Sequence, residues 1–253
     1  MLCLAAVRKS RRETLKTTGI FHKVWHAHDK EGVLDEADEK ANYLRALLRT
    51  YTNEIREQVQ WYSFCLMGNR VHETGALARD ELEDLEPART CLSNWMRNGH
   101  SIFGQGYNRR HHRRGKVAYD RPHTPEIDTD EGVLNVMFYG DVNPVKEHWV
   151  SHPSQWKHSS YRFYAFGEED EFTAHLTPPP AYLALGATPE ARQAKYRSLC
   201  DDSMRREGMI DDRPSEDVEE PRSDAVDGDH SPAQGEETGG ATGPPHDDFW
   251  DDW

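Results

Sequence analysis

The run VQWYSFCLMGNRVH, at residues 59–72, predicts two adjoining β-strands and so the sheet on which this fold is built. Residues 59–67 are mostly apolar and rich in aromatic and β-branched side chains, a composition typical of a buried strand. Gly68 and Asn69 form a turn signal, and Val71 begins a second, weaker strand. Strands joined by so short a turn pair antiparallel, so the run predicts a hairpin.

The segments on either side of this hairpin add another strand and several helices. Residues 19–28, GIFHKVWHAH, are typical of a strand. Apolar side chains recur at helical spacing between residues 38 and 58, and further helices are predicted at residues 87–102, 131–142 and 181–197. This order predicts an α+β fold in which a small antiparallel sheet carries helices on one face.

Charge divides the chain of 253 residues into two parts. The formal net charge is −14, and residues 201–253 alone hold 18 acidic side chains and four arginines. The first 200 residues are therefore neutral overall, and they are apolar enough to form a compact core. The acidic segment is too polar to repay the entropy cost of ordering, so we expect residues 203–253 to form a disordered acidic tail.

Composition excludes several classes of protein. No run approaches the roughly 20 apolar residues of a membrane helix, so no membrane association is expected. The short apolar start at residues 2–7 is followed by basic residues, the reverse of a secretory signal, and residues 1–17 are expected to form a basic flexible arm. The four cysteines lie far apart without a C-x-x-C pair, which excludes a zinc ribbon or a disulfide scaffold and indicates a reducing cytoplasm.

Three short motifs follow one another along the chain. The first is LMGNRVH at residues 66–72, and the second is YGDVNPVK at residues 139–146, where the predicted helix is expected to stop at Asn143-Pro144. The third is WKHSSYR at residues 156–162. Together they resemble the REP-associated tyrosine transposases, single-tyrosine HUH transposases in which a strand reads L-M-P-N-H-x-H, a helix reads Y-x-x-x-N-P-V-K/R, and W-S-S-Y/F-R follows.

The resemblance implies a ferredoxin-like HUH domain that acts on single-stranded or hairpin DNA. It implies that Tyr139 is the nucleophile, and that the chain cleaves and rejoins DNA through a covalent 5′-phosphotyrosine in DNA transposition or repeat processing. It also implies that His72 and Asn143 are ligands of a divalent metal, magnesium or manganese. Tyr139 and Asn143 are four residues apart on a predicted helix and therefore share one of its faces.

Arg70 departs from the family pattern, since it stands where the first motif histidine is expected. A guanidinium has no lone pair to give to a metal. In one interpretation the site has lost its metal, and the chain is a domesticated, non-catalytic DNA-binding protein. In the other, Arg70 is itself catalytic and supplies fixed positive charge to the scissile phosphate, or His26 or His28 replaces the missing ligand. Otherwise these two histidines and His22 are expected to lie on the plain surface of the sheet.

A basic segment lies at residues 104–116, which we expect to form a loop. Five cationic side chains fall within nine residues of a body that has no net charge. Phosphate neutralisation by such a cluster gives salt-dependent nucleic-acid binding, and an adjacent aromatic ring offers a stacking surface. The predicted DNA-binding residues are Tyr107, Arg109, Arg110, Arg113, Arg114 and Lys116.

The expected organisation is a basic arm at residues 1–17, a transposase-like domain at 18–165, a helical extension at 166–202 and the acidic tail at 203–253. DNA is the expected partner, and a homodimer is an open alternative. The tail places aromatic residues among its acidic ones, so we expect it to compete with DNA for the basic segment, to dock a partner protein, or only to aid solubility. An adaptor that binds proteins rather than DNA is a third interpretation.

Overall fold

The computed structural model describes residues 15–28, 31–78, 85–118 and 122–210. Residues 1–14 of the expected basic arm, and the acidic segment from residue 211 onward, lie outside these described residues. The chain separates into two units, residues 1–210 and 211–253, and all the elements named below belong to the first. Among the described helices, none is long and apolar enough to cross a bilayer.

The described strands form a three-stranded antiparallel sheet, which confirms the α+β class. They are β1 (Ile20–His26), β2 (Val59–Leu66) and β3 (Arg70–Leu77), in the order β1-β3-β2. The predicted hairpin is β2 and β3, and the strand expected to be weaker lies in the middle, paired along most of its length with both neighbours. Residues 123–127 run along the outer side of β1, where the Val24 amide donates to the His123 carbonyl over 2.9 Å.

The described helices alternate with turns around this sheet. They are α1 (Ala37–Thr50), α2 (Asn53–Gln58), α3 (Glu86–Arg110), α4 (Asp130–Lys146), α5 (Tyr161–Phe166), α6 (Pro180–Leu183) and α7 (Pro189–Arg206). The single helix predicted at residues 38–58 is two helices, because extended backbone at Thr52 separates α1 from α2. The aromatic segment at residues 159–166 holds α5.

α3 runs further than predicted and includes residues 104–110, which the sequence marks as loop. Glycines at 104 and 106 suggest a break, since glycine has a low helix propensity. Gly99, however, lets α3 approach α1 so closely that a Cβ there would lie 2.6 Å from a methyl group of Leu47. Packing against α1 therefore stabilises a helix that its composition alone disfavours.

α4 also runs further than predicted, because it continues through Asn143 and Pro144 to Lys146. Backbone hydrogen bonds persist past the proline: the Glu147 amide donates to the Asn143 carbonyl over 3.0 Å. Proline inside a helix removes one backbone donor and its ring crowds the carbonyl four residues earlier, so packing of the buried side of this helix must offset that cost. The expected stop at Asn143-Pro144 was therefore wrong, and both residues are helical.

Helices cover both faces of the sheet, whereas the sequence predicted them on one. Neighbouring residues of a strand point to opposite faces. His72 of β3 lies against Tyr139 of α4, with ring centroids 5.5 Å apart. The next residue, Glu73, accepts a hydrogen bond from the Tyr43 hydroxyl of α1 on the other face. The spacing of apolar residues along a helix identifies which side of the helix is buried, but not which face of the sheet it packs against. The prediction of helices on one face was wrong for this reason.

The helical extension shares its core with the rest of the domain. The Tyr196 ring of α7 lies 4.9 Å from Phe138 of α4 and 5.5 Å from Tyr164 of α5, measured between centroids. Aromatic pairs at these separations stabilise the packing beyond the area they bury. Side chains from both of the expected parts, residues 18–165 and 166–202, therefore pack in one core.

Both ends of the folded body lie further out than the expected boundaries at residues 18 and 202. Met204 is fully buried, so α7 belongs to the core up to its end. Leu15 is also fully buried. The backbone N–H groups of residues 16–19 all donate to the Glu126 carboxylate. These residues are thereby anchored to the body rather than part of a free arm.

Candidate active site

Two histidines and a tyrosine meet between the sheet and α4. The rings of His22 and His72 stack with centroids 5.3 Å apart, and His22 Nε2 lies 3.1 Å from His72 Nδ1. The Tyr139 ring packs steeply against both, with centroids 5.5 Å from His72 and 6.1 Å from His22. Tyr139 is half-buried, whereas the two histidines are buried. The residues that the sequence suggests as nucleophile and ligand therefore lie at one point.

Burial keeps this histidine pair neutral. It lowers the pKa of His22 to about 4, with a smaller contribution from His123. It also lowers the pKa of His72 well below its usual value, and repulsion from His22 and Arg70 adds to the effect. A neutral imidazole has one N–H and one lone pair, so one ring donates a hydrogen bond to the other. His72 Nε2 is buried and has no hydrogen-bond partner among the described residues.

The donors at this point do not match the metal site that the resemblance implies. Asn143 is buried, and its amide nitrogen donates to the Tyr139 carbonyl over 2.9 Å. Arg70 has no lone pair to offer a metal. His72 Nε2 is a buried imidazole nitrogen without a hydrogen-bond partner among the described residues. Within the described part of the chain, no three His, Cys, Asp or Glu side chains are grouped to hold a metal ion. The residues present do not fit a three-ligand site.

Lys146 brings a positive charge directly to Tyr139. Its Nζ lies 4.7 Å from the centroid of the phenol ring, a cation–π distance. The same ammonium lies 2.5 Å from a carboxylate oxygen of Glu207, just beyond the end of α7. Lys146 is the last residue of α4 and Tyr139 lies seven positions before it, so the helix itself sets their spacing.

Arg70 begins β3 on the face that carries His72, and it forms an ion pair with Glu147. The two side chains are 24% and 46% exposed, so this pair contributes under about 1 kcal/mol and the arginine can exchange its carboxylate for another anion. His26 stands opposite Arg70 in the register of β1 and β3, on the same face. His28, the other suggested replacement ligand, lies past the end of β1.

The predicted DNA-binding residues occupy the end of α3 and the loop after it, and two of them already bind carboxylates. Arg110 forms two hydrogen bonds to Glu39 of α1. Arg113 pairs with Glu31 over 2.5 Å, and its guanidinium lies 5.5 Å from the centroid of the Tyr107 ring. Tyr107 is half-buried, so part of its stacking surface is covered by protein.

The other three predicted DNA-binding cations are exposed and have no ion-pair partner among the described residues: Arg109, Arg114 and Lys116. The loop that carries the last two returns to the sheet at Val117, whose carbonyl accepts a hydrogen bond from the His28 amide over 2.8 Å. β1 ends just before this point, opposite Arg70. The basic segment therefore leads to the end of β1, which lies opposite Arg70 of the middle strand.

Sequence interpretation missed two residues beside this site. His22 is not plain sheet surface but the buried partner of His72, which depends on the register of β1 against β3. Trp149 is 46% exposed and packs at a tilt against Trp156, with ring centroids 5.3 Å apart. It lies close to the hairpin turn, since a Cβ on Gly68 would be 3.3 Å from its ring. The signal available in the sequence was only a tryptophan shortly after the YGDVNPVK motif.

Asp141 ties α4 to α7 at the back of the site. It is buried and accepts a 2.7 Å hydrogen bond from the Tyr196 hydroxyl. Burial raises the pKa of Asp141 to about 7, against the opposing hydrogen bonds from Tyr196 and Ser159. The folded chain thus binds this proton more tightly than the unfolded chain does, so stability is lost as pH rises from about 4 to about 7.

We expect Asp141→Asn to remove this contribution to the pH dependence of stability. The amide oxygen still accepts from Tyr196 but carries no charge to desolvate. One pKa unit corresponds to about 1.4 kcal/mol. The free energy of unfolding of the variant, relative to that of the unmodified chain, is therefore expected to rise by a few kcal/mol between pH 5 and pH 8. Thermal unfolding at both pH values measures it, with Asp202→Asn on the exposed side of α7 as the control. If Asp141→Asn changes the stability equally at both pH values, Asp141 is ionised in the folded chain.

Comparison with known proteins gives one structural likeness. No family model matches the chain. No curated protein matches it either. The chain is similar to a solved structure of a REP-associated tyrosine transposase bound to a REP hairpin, with a TM-score of 0.49 and 15% sequence identity, over 66% of this chain and 89% of that one.

Proposed function

We propose that this chain is a transposase-like DNA-binding protein that acts on single-stranded or hairpin DNA, with Tyr139 as the nucleophile. The observation that carries the proposal is the contact of Tyr139 with the buried, neutral pair His22 and His72. The order of the three sequence motifs, which resemble those of HUH transposases, supports the same assignment. Positive charge from Lys146 and Arg70 beside this point suits a phosphodiester substrate.

The proposed reaction is a transesterification. The phenol oxygen of Tyr139 bonds to a backbone phosphorus, the bond from that phosphorus to the 3′ oxygen of the preceding nucleotide breaks, and this oxygen takes up a proton. The products are a 5′-phosphotyrosine and a free 3′-hydroxyl, and the reverse attack by a 3′-hydroxyl reseals the strand. The phenol proton is proposed to pass to water, since burial lowers the pKa values of His22 and His72 and leaves both imidazoles weak bases.

The cations near Tyr139 are proposed to stabilise the charge that gathers on the phosphoryl oxygens. A fixed positive charge placed before the reaction stabilises such a transition state without reorganisation. Arg70 meets this need by exchanging Glu147 for phosphate, to which a guanidinium binds through two parallel hydrogen bonds. Lys146 supplies a second charge close to the phenol ring.

The experiment that tests this function is covalent trapping of labelled hairpin DNA, with and without manganese. Denaturing gels show attachment directly, because a phosphotyrosine bond survives unfolding. A second candidate, a non-catalytic DNA-binding protein, is favoured by Arg70 in the place of a ligand histidine and by its ion pair with Glu147. That candidate predicts binding to the hairpin without attachment. Absence of both binding and attachment would point to a protein-binding adaptor.

We expect Arg70→His to raise manganese affinity by more than about tenfold, because it restores a nitrogen ligand on the face of β3 that carries His72. Isothermal titration with manganese measures the change. Arg70→Gln is the matched control, since it removes the same cation without adding a ligand nitrogen. If Arg70→His binds manganese no better than Arg70→Gln, the pocket is not of the HUH type.

The partner proposals extend beyond DNA. The acidic segment at residues 203–253, of which the described part ends at residue 210, is proposed to compete with DNA for the basic segment or to dock a partner protein. Its charge is opposite to that of the exposed cations at residues 109–116, which supports competition. A homodimer and a cytoplasmic location belong to the same proposal.

A further inference from the structure

A groove of about 440 Å³ lies between α1 and α3. Its polar lining on α1 comes from residues three and four positions apart, and on α3 from the last turn and the turn before it. These residues are Asn42, Arg45 and Arg49 of α1 and Gln105, Arg109 and Arg110 of α3. Four of the six are arginines, and the two amides add further hydrogen-bond donors.

Only part of the positive charge in the groove is neutralised. Arg110 binds Glu39. Arg45 binds Glu171 over 2.7 Å, but both of these side chains are more than half exposed, so that pair holds the arginine weakly. The two others, Arg49 and Arg109, are exposed and have no ion-pair partner among the described residues. The groove therefore has at least two guanidinium groups free to bind an anion.

The groove lies on the layer opposite Tyr139. α1 and α3 cover the face of the sheet that carries Glu73, as the contacts of Tyr43 with Glu73 and with His100 demonstrate. Tyr139 lies on the other face, against His72. A ligand that reaches both places must pass around an edge of the sheet.

Basic residues mark a path past the end of β1. Arg109 and Arg110 are the last two residues of α3, and the chain continues from them into the basic loop with Arg114 and Lys116. That loop meets the end of β1 through the hydrogen bond between Val117 and His28, where the sheet carries Arg70. These basic residues thus run from Arg49 and the end of α3 through the loop to Arg70.

We propose that the groove is a second phosphate-binding site, which holds the sugar–phosphate backbone of the DNA stem while the strand to be cut reaches Tyr139 on the opposite layer. The inference rests on the proposed function for the class of ligand. Guanidinium groups suit it because they bind phosphate through two parallel hydrogen bonds. Contacts to the backbone position the DNA and carry no base-sequence information.

The test is the salt dependence of hairpin binding by the full chain carrying Tyr139→Phe, which separates binding from covalent attachment. Each phosphate contact contributes about 0.9 to the slope of log K against log salt. We expect Arg49→Gln with Arg109→Gln to reduce this slope by about 1.8, so that the loss of affinity from 50 to 200 mM salt becomes about tenfold smaller. Filter binding at several salt concentrations measures the slope.

The matched control is Arg97→Gln with Lys195→Gln, which removes the same charge from exposed positions outside the groove. An unchanged slope in the groove variant, or an equal reduction in the control, would overturn the second site. Failure of the starting chain to bind the hairpin would overturn both proposals. A reduced slope in the groove variant, together with no covalent attachment by the chain that retains Tyr139, would support the groove and reject the tyrosine chemistry.

Discussion

Tyr139→Phe is expected to abolish covalent attachment of the chain to hairpin DNA. The substitution removes one oxygen and leaves the ring that packs against His22 and His72. Removing the nucleophile of an enzyme lowers its rate on the order of 10⁶-fold, which takes attachment below detection. The measurement is a denaturing gel of end-labelled hairpin DNA after incubation with the chain, with manganese present.

Binding must survive in Tyr139→Phe for this result to be informative. The variant keeps the ring, so we expect its affinity for the hairpin to stay within about twofold, measured by filter binding without manganese. Tyr182→Phe is the control for loss of a phenol elsewhere, since that hydroxyl donates to the Tyr164 carbonyl in the C-terminal cluster. Undiminished attachment in Tyr139→Phe removes Tyr139 from the mechanism.

The second large effect concerns stability and a buried ion pair on the other face of the sheet. Lys23 of β1 and Glu73 of β3 form this pair, and neither side chain has any exposed surface. Lys23 Nζ also donates to the Tyr43 hydroxyl over 2.9 Å, and that hydroxyl lies 3.0 Å from His100 Nε2. Breaking such a pair from one side leaves an uncompensated charge in the core.

We expect Glu73→Gln to lower the free energy of unfolding by about 3–5 kcal/mol, because the Lys23 ammonium is then buried without its carboxylate. Urea denaturation monitored by tryptophan fluorescence measures the change. The double variant Lys23→Met with Glu73→Leu should recover most of the loss, since apolar side chains replace a buried pair at little cost.

An exposed pair provides the comparison for this prediction. Arg45 and Glu171 are joined over 2.7 Å, but their side chains are 56% and 58% exposed. Glu171→Gln should therefore cost under about 1 kcal/mol. A loss in Glu73→Gln no larger than that in Glu171→Gln would mean that Lys23 loses its proton or reaches water when its partner is removed.

Much of the local structure could be predicted because its causes are local. The hairpin of β2 and β3 follows from an aromatic, β-branched run and a Gly-Asn turn, and both act within a few residues. The shared face of Tyr139 and Asn143 follows from helical spacing. The same local rules misplaced the ends of α3 and α4, where packing stabilises helical backbone at glycine and at proline.

The candidate site was predictable only in part. Tyr139 and His72 could be named from motifs, but the buried partner of His72 is His22, fifty residues earlier in the chain. The sequence of neither strand determines the register of β1 against β3. A shift of that register by one residue would turn His22 to the other face of the sheet. The ion pairs that engage Arg110 and Arg113 likewise depend on carboxylates at Glu39 and Glu31, far from them in sequence.

Local chemistry along the chain thus accounts for which segments are strands and helices and for the positions of the tyrosine, the hairpin turn and the basic segment. Long-range packing accounts for the rest: the layer on which α4 lies, the pairing of the two histidines, and the groove between α1 and α3. The physical reason is that propensity and periodicity act over a few neighbouring residues. Register and layering, in contrast, arise only when segments distant in sequence bury their faces against one another.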